Sequence, residues 1–193
     1  VFVDSPMALD VTEIYRRHTE EYNPEMLQAL QQGRSPFHGA QHRLLRTVEE
    51  SKSLNERTDP MIIIAGNGMI TGGRILHHLE QRLPNPNNAV LLVGYQAAGT
   101  RGRSLQEGAT ELRMHGHFVP VRARIEAING LSAHGDQAEL MRWLSGFERP
   151  PTQTYVVHGE PEAAAALAKL ISEQLGWQVA VARDDETIFL DTL

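Results

Sequence analysis

Two short apolar runs, Met61–Ala65 and Ala89–Val93, enclose a glycine-rich loop and a segment of helix length. The first run leads through G-N-G-M-I-T-G-G into Arg74–Arg82, whose apolar residues have helical spacing. Compact apolar runs of this kind are typical of strands buried on both faces of a parallel sheet. The order strand, glycine-rich loop, helix, strand is that of a βαβ unit, whose functional loops lie at the carboxyl ends of its strands. The pattern therefore predicts an α/β fold with a parallel sheet.

The pattern of apolar residues changes near residue 108. Over Glu111–Met114 and His117–Ile128, apolar and charged residues alternate, which is typical of antiparallel strands with one wet face. Further segments follow, with helices predicted over Gln137–Phe147 and Glu162–Leu175. The change divides the chain into two predicted domains, residues 1–107 and residues 108–193.

Composition excludes several kinds of protein and site. No apolar run approaches the roughly 18 residues of a membrane span, and the first residues lack the pattern of a signal peptide. We therefore expect a soluble, cytoplasmic protein with no membrane partner. The chain has no cysteine, which leaves histidine, aspartate and glutamate as ligands for a transition metal. A formal net charge of -6 argues against broad nucleic-acid binding and favours a focused site.

Two histidines occupy loops that are typical of active sites. His134 lies in S-A-H-G-D and His158 in V-H-G-E, each after a strand-like run and each followed by glycine and an acidic residue. Small neighbours let a substrate or an ion approach such an imidazole. Helix starts explain part of the same pattern, because an acidic residue in each loop can begin the helix that follows. Spacing alone leaves the functional and the structural interpretation open for both histidines.

Three other patterns carry weaker predictions. The glycines of G-N-G-M-I-T-G suit a phosphate at a helix N-terminus, but the acid that a dinucleotide site needs about 20 residues further on is absent. His77 and His78 point in different directions on a helix and cannot chelate one ion well together, so we expect surface or packing roles for them. His115 and His117 can share one face of a strand, yet they lack a nearby acid in the sequence and fit a hairpin tip.

Five segments together carry a resemblance that covers essentially the whole chain. They are D-S-P-M-A at 4–8, A-G-N-G-M-I-T-G-G-R-I-L-H-H-L at 65–79, G-Y-Q-A-A-G-T-R-G-R at 94–103, S-A-H-G-D at 132–136 and V-H-G-E at 157–160. In order and spacing they closely resemble the β-CASP branch of the metallo-β-lactamase superfamily. Members of that branch include the endonuclease subunit of the cleavage and polyadenylation specificity factor and its bacterial and archaeal relatives. The sequence departs from the family at Asn67, where serine is the commoner residue.

The resemblance implies a fold, an activity and a set of site residues. The fold is a parallel-sheet β-CASP domain with helices on both faces, followed by the C-terminal part of an αββα metallo-β-lactamase domain. The activity is zinc-dependent hydrolysis of phosphodiester bonds in single-stranded RNA during RNA processing. His158 matches a ligand of the family's two-zinc site, and His134 matches a histidine beside the scissile phosphate, which donates a proton or contacts the phosphate. The residues that would contact the substrate are Ser132, Ala133, Gly68, Met69 and Arg101.

The rest of the family's site has no match in this sequence. It consists of an H-x-H-x-D-H run, a further histidine, a bridging aspartate and one more acid, all of which precede the β-CASP insert in the family. We therefore expect a C-terminal fragment that by itself neither holds two zinc ions nor cleaves RNA, with an uncovered apolar surface that favours a homodimer. Two alternatives stay open: a non-catalytic module that binds RNA or a protein, and a nucleotide- or phosphosugar-binding enzyme that uses Gly66–Gly73.

Overall fold

The computed structural model describes residues 1–35, 42–132 and 134–189. Contacts divide the chain into two compact units, Val1–Ser132 and Ala133–Leu193. In the first unit, the described residues form seven strands and five α-helices, and in the second they form two of each. Among the described residues, no helix combines the length and the apolar character that crossing a membrane requires.

The strands of the first unit are β1 (Phe2–Asp4), β2 (Arg43–Leu44), β3 (Ile63–Ala65), β4 (Ala89–Val93), β5 (Glu111–Met114), β6 (His117–Pro120) and β7 (Arg124–Ile128). Its helices are α1 (Pro6–Arg17), α2 (Pro24–Gln31), α3 (Val48–Ser53), α4 (Arg74–Arg82) and α5 (Arg101–Gln106), with short 3₁₀ turns at Thr19–Glu21 and Leu54–Glu56. The second unit contains α6 (Gln137–Leu144), β8 (Thr154–Val156), α7 (Pro161–Leu175) and β9 (Val179–Val181).

Strand β1 is the centre of a three-stranded parallel sheet, with β2 on one side and β3 on the other. Phe2, Leu45 and Leu54 form a small core against this sheet. At the carboxyl end of β1 the chain turns sharply into α1, because the Ser5 side chain accepts a hydrogen bond from a backbone N–H of the first helical turn. The turn leaves Asp4 buried at the end of the strand.

Strand β4 pairs in parallel with β7, not with β3. The βαβ unit predicted from residues 61–93 is therefore divided between two hydrogen-bonded sheets. The antiparallel pairing predicted for residues 111–128 is found only in the β5–β6 hairpin. Between β6 and β7 the backbone N–H groups of Arg122 and Ala123 both donate to the carbonyl oxygen of Leu83, just after α4. These bonds redirect the chain so that β7 runs alongside β4.

Helices α4 and α5 pack against one face of the β4–β7 sheet. The buried core on this side combines residues of both helices, β4 and the hairpin: Ile70, Leu76, Leu79, Leu83, Leu92, Leu105, Leu112, Met114, Val119 and Ala123. Leu91 and Val93 alternate with Leu92 along β4 and are about half exposed, at 54% and 51%. Because side chains alternate along a strand, the burial predicted for both faces of β4 is found on one face only.

The second unit is a parallel β8–β9 pair that packs with α6 and α7. Met141 of α6, Val156 of β8, Ile171 of α7 and Trp177 form its buried core. Helix α7 ends at Gly176, whose φ of 68° lies in the left-handed region that favours glycine at a helix C-terminus. Both helices of this core begin directly after loops that contain a predicted site histidine.

Candidate functional site

His158 lies after β8 in the tight turn that leads into α7. Its backbone has a φ of 64°, in the left-handed region that non-glycine residues seldom adopt, and the residue is exposed. The next residue is glycine for a steric reason. A Cβ atom at Gly159 would lie 3.0 Å from the Cβ atom of Ala164 and 3.2 Å from its backbone nitrogen. The segment V-H-G-E therefore forms a turn that presents an imidazole at the surface, at a cost in backbone strain.

His134 precedes α6 in a loop whose end is fixed by helix capping. The Asp136 side chain accepts a hydrogen bond from the backbone N–H of Glu139 at 2.8 Å, and the Glu139 carboxylate accepts one from the backbone N–H of Asp136 at 2.9 Å. The structural interpretation of Asp136 as a helix cap is thus confirmed. His134 and Ser132 are both exposed. Ala133, the third predicted site residue of this loop, lies outside the described residues.

Gly68, Met69 and Arg101 are brought together by two neighbouring loops of the first unit, the second of which leads into α5 at Arg101. The backbone N–H of Gly102 donates to the carbonyl oxygen of Met69 at 3.1 Å. The loops can approach this closely because residue 102 has no side chain. A Cβ atom there would overlap the side-chain amide of Gln96 and would lie 3.3 Å from the carbonyl oxygen of Gly68. Gly102 therefore serves close packing of the two loops, whereas nothing lies within 4 Å of the position of a Cβ atom on Gly68.

The Arg101 guanidinium is held by backbone carbonyl groups. Its Nε donates to the carbonyl oxygen of Arg113 at 2.7 Å, and its Nη1 donates to that of Ile70 at 3.2 Å. A guanidinium has five N–H donors, so these two bonds orient the group without using all of them. Contact between Arg101 and a substrate phosphate stays a prediction.

A buried polar network around Asp4 was not predicted from the sequence. Asp4 accepts hydrogen bonds from the Ser51 hydroxyl at 2.5 Å, from Nη1 of Arg74 at 2.6 Å and from Nε2 of His78 at 2.6 Å. His78 is buried, so of the surface and packing roles expected for it the structure shows packing, and its hydrogen bond to Asp4 was not predicted. The signal in the sequence was the spacing of Arg74 and His78, because residues four apart lie on the same face of a helix.

The network keeps the Asp4 carboxylate charged. Burial by itself raises the pKa of Asp4, but the hydrogen bonds from Ser51, His78 and Arg74 outweigh burial and hold this pKa below its usual range. Arg74 also donates to the carbonyl oxygens of Leu45 and Arg46, which ties α4 to the segment after β2. The D-S-P motif therefore positions the glycine-rich loop that precedes α4.

His115 and His117 flank the tip of the β5–β6 hairpin, as predicted. Neither histidine has an acid close to it in the sequence, but in the structure an acid lies beside both. Glu80 of α4 lies against the tip, with its carboxylate oxygens 2.9 Å from Nδ1 of His115 and 2.8 Å from Nε2 of His117. The acid is 35 residues before His115 in the chain, so sequence spacing alone does not reveal it.

Two family models match this chain. The Beta-Casp domain model matches residues 1–105, and the model of a Zn-dependent metallo-hydrolase RNA specificity domain matches residues 119–182. The predicted boundary near residue 107 stays a prediction. The mixed α/β architecture with parallel strand pairs is consistent with the Beta-Casp family model and confirms the predicted fold class.

Curated relatives include bacterial and archaeal proteins. A ribonuclease of Thermus thermophilus is 39% identical over 188 residues, which cover 97% of this chain and 42% of the relative. The transcription termination factor FttA of Pyrococcus abyssi is 32% identical over 199 residues, covering 97% of this chain and 31% of that factor. An RNase J-like protein of Methanocaldococcus jannaschii is 31% identical over 175 residues, covering 91% of this chain and 39% of that protein.

The chain thus spans between 31% and 42% of the length of these relatives. All five motifs that carried the resemblance lie inside the two matched regions. Since the Beta-Casp model alone covers 105 of the 193 residues, the protein belongs to the β-CASP family.

Proposed function

We propose that this chain is the β-CASP domain (residues 1–107) and the C-terminal part (residues 108–193) of a zinc-dependent ribonuclease. The whole protein would hydrolyse phosphodiester bonds of single-stranded RNA in the cytoplasm during RNA processing. The observation that carries the proposal is the match of both family models, in order, along a chain 39% identical to a ribonuclease over 188 residues. The second model describes an RNA specificity domain of a zinc-dependent metallo-hydrolase, which supports RNA as the substrate.

The residues of this chain do not by themselves fit a two-zinc site. Catalytic zinc takes three protein ligands and structural zinc takes four. Of the ligands that the resemblance implies, this sequence offers His158 alone, and it has no cysteine to replace the others. We propose that the 193-residue chain binds no zinc at His158 and does not cleave RNA. The other donors would come from the part of the relatives that this chain does not span.

The proposed roles of the chain are to position RNA and to transfer a proton. His134, exposed before α6, would protonate the leaving oxygen, since imidazole gains and loses protons near neutral pH. In its loop Ser132 and Ala133 would contact the substrate. In the first unit, Gly68 and Met69 would offer backbone groups to RNA. Arg101, already oriented by two carbonyl groups, would add a charged donor for phosphate.

A chimera tests this proposal. The 188-residue region of the T. thermophilus ribonuclease that aligns with this chain would be replaced by the chain itself. We expect the chimera to cleave single-stranded RNA, to lose activity on zinc chelation and to regain it with added zinc. The chain alone should be inactive under the same conditions. A well-folded chimera without ribonuclease activity, or cleavage by the chain alone, would contradict the proposal.

The second candidate is a non-catalytic module that binds RNA or a protein. It is supported by the RNA specificity description of the model over residues 119–182. It predicts measurable RNA affinity of the chain alone, with a shallow dependence on salt because a protein with a net charge of -6 makes few phosphate contacts. An inactive chimera that still binds RNA would favour this candidate over the ribonuclease.

We also propose that the chain forms a homodimer. Leu91 and Val93 of β4 and Ile64 of β3 are about half exposed, and such apolar strand surfaces favour association. Light scattering over a range of concentrations should show a dimer at high concentration. A strictly monomeric chain over that range would exclude the dimer without affecting the proposed activity.

A further inference from the structure

We propose that His77, Glu80, His115 and His117 form a binding site for one transition-metal ion of the zinc class. The site lies within the first compact unit and shares no residue with the predicted catalytic site. It therefore does not depend on the proposed ribonuclease function. Its ligands come from one face of α4 and from the tip of the β5–β6 hairpin.

Helix α4 supplies two of the ligands. His77 and Glu80 are three residues apart, so their side chains lie beside each other on the helix surface. The same spacing of a histidine and a glutamate supplies metal ligands in helical di-metal proteins. Glu80 is a partly buried carboxylate, with 21% of its side chain exposed, and it faces the hairpin. The exposed His77 thus lies next to an acid that is directed toward other histidines.

The hairpin supplies the other two ligands through its turn. Met114 pairs with His117, which leaves His115 and Gly116 as the two residues of the loop. Their φ angles are 44° and 92°, and positive values at both positions define the tight turn that suits the twist of a hairpin. A left-handed conformation at His115 is costly for a non-glycine residue. In this conformation the imidazole of His115 lies against α4.

The ligand atoms already lie close together. One ligand atom each from His77, Glu80 and His115 fall within 4.8 Å of one another. The rings of His77 and His115 stack with their centroids 4.6 Å apart. Around a tetrahedral zinc ion with bonds near 2.1 Å, ligand atoms are about 3.3 Å apart. Closing the site therefore needs inward movements of at most about 1.5 Å, which side-chain rotation provides.

His117 is placed to complete the site. Its Nε2 is 2.8 Å from one oxygen of the Glu80 carboxylate, while the other oxygen is 2.9 Å from Nδ1 of His115. Three imidazoles and one carboxylate are all ligand types that zinc accepts, and four protein ligands make a closed, structural site. The carboxylate now contacts two imidazoles, and a bound cation would replace these contacts.

The backbone that carries the ligands is held by a shared core. Leu79 and Leu83 of the α4 segment pack in the same buried cluster as Leu112, Met114 and Val119 of the hairpin. The ligands therefore approach from two elements whose relative position is already fixed. A metal ion would join the hairpin tip to α4 and would stabilise the folded chain by mass action.

Metal titration of the 193-residue chain tests the site. The starting protein, called the host, is the His158→Ala variant, which lacks the predicted catalytic ligand. Its metal is first removed with a chelator. Titration with Co²⁺ followed by visible absorption, then competition with Zn²⁺, should show one ion per chain in a four-coordinate nitrogen and oxygen environment. Zn²⁺ should also raise the melting temperature of the host. Absence of Co²⁺ and Zn²⁺ binding by the folded host would overturn the proposal.

Substitutions assign the ligands. In this host Glu80→Gln, His115→Ala and His117→Ala should each weaken Zn²⁺ binding by at least about tenfold. The control is His18→Ala, since His18 is exposed and pairs with Glu20, two residues away. Circular dichroism without metal would verify folding, and any variant that fails to fold is replaced by His77→Ala. Binding that is unchanged in folded Glu80→Gln and His115→Ala would also overturn the proposal.

Discussion

The Asp4 network and the His158 turn show two opposite uses of a titratable side chain. Asp4 has no exposed side-chain surface and accepts hydrogen bonds from three side chains of its own chain. His158 is exposed and occupies a left-handed backbone conformation, which a non-glycine residue adopts only at a cost. The first arrangement is explained by the stability of the fold. The second opposes stability, which supports the functional role that we propose for His158.

This comparison separates two roles within the family motifs. The D-S-P motif holds a buried charge whose partners fix the start of α4, and a buried charge without partners is strongly destabilising. The H-G-E motif instead holds an imidazole at the surface, where an additional group can reach it. Substitutions in the first motif should therefore change stability, and substitutions at His158 should change activity.

The largest effect on stability is expected from Asp4→Ala. The change leaves Arg74, His78 and Ser51 around a vacated buried site and should cost about 3–5 kcal/mol of the free energy of unfolding. Chemical denaturation monitored by circular dichroism measures the loss. The matched control is Asp10→Ala, because Asp10 also pairs with an arginine, yet 65% of its side chain is exposed. The control should lose less than about 1 kcal/mol of the free energy of unfolding. Equal losses for the two variants would contradict the stabilising role assigned to the buried Asp4 network.

Gly102→Ala should have the next largest effect. An added Cβ atom overlaps the side-chain amide of buried Gln96, which must shift, and lies 3.3 Å from the carbonyl oxygen of Gly68 in the neighbouring loop. We expect a loss of about 1–3 kcal/mol in the free energy of unfolding. Gly68→Ala is the control, since nothing lies within 4 Å of the position of its added Cβ atom. A smaller loss for Gly102→Ala than for Gly68→Ala would contradict the assigned packing role.

A smaller loss, of about 1–2 kcal/mol, is expected from Gly159→Ala. The new Cβ atom would press against Ala164 at 3.0 Å in the first turns of α7. Gly135→Ala in the other histidine loop is the control, because its Cβ atom would meet only ordinary contacts at 3.6 Å or more. Thermal unfolding compares the two variants. Equal melting temperatures would show that the His158 turn is less constrained than its geometry indicates.

The smallest effect is a dependence of stability on acid pH. The pKa of Asp4 is lower in the folded chain than the ordinary value of 3.8 for this side chain, so the carboxylate stabilises the fold above that value. This stabilisation is lost as the pH falls through the folded pKa. The melting temperature of the native chain should therefore fall more steeply on acidification than that of Asp4→Asn. Parallel curves of melting temperature against pH for the two proteins would show that the charge of Asp4 does not stabilise the fold.

Local features of the fold were predictable because they depend on neighbouring residues. Helix α4, strand β4, the hairpin turn at His115 and the cap at Asp136 all follow from periodicity or from side-chain chemistry within a few residues. The same holds for the exposed loops at His134 and His158, which are set by strand ends and helix starts.

Features that join distant parts of the chain were not predictable from those patterns. Asp4 and His78 are 74 residues apart, and Glu80 and His115 are 35 residues apart. The pairing of β4 with β7 likewise depends on backbone bonds at Leu83 that redirect the chain. Periodicity shows which face of an element is apolar, but it does not show which distant element covers that face.

Substitution of His158 by glycine tests the central claim most directly. In the chimera with the T. thermophilus ribonuclease, His158→Gly removes the imidazole and relieves the left-handed backbone, whose φ is 64°. We expect RNA cleavage to fall by more than about 100-fold, because the proposed metal ligand is lost, while the melting temperature measured without metal stays the same or rises. Undiminished cleavage by this folded variant would contradict the role assigned to His158.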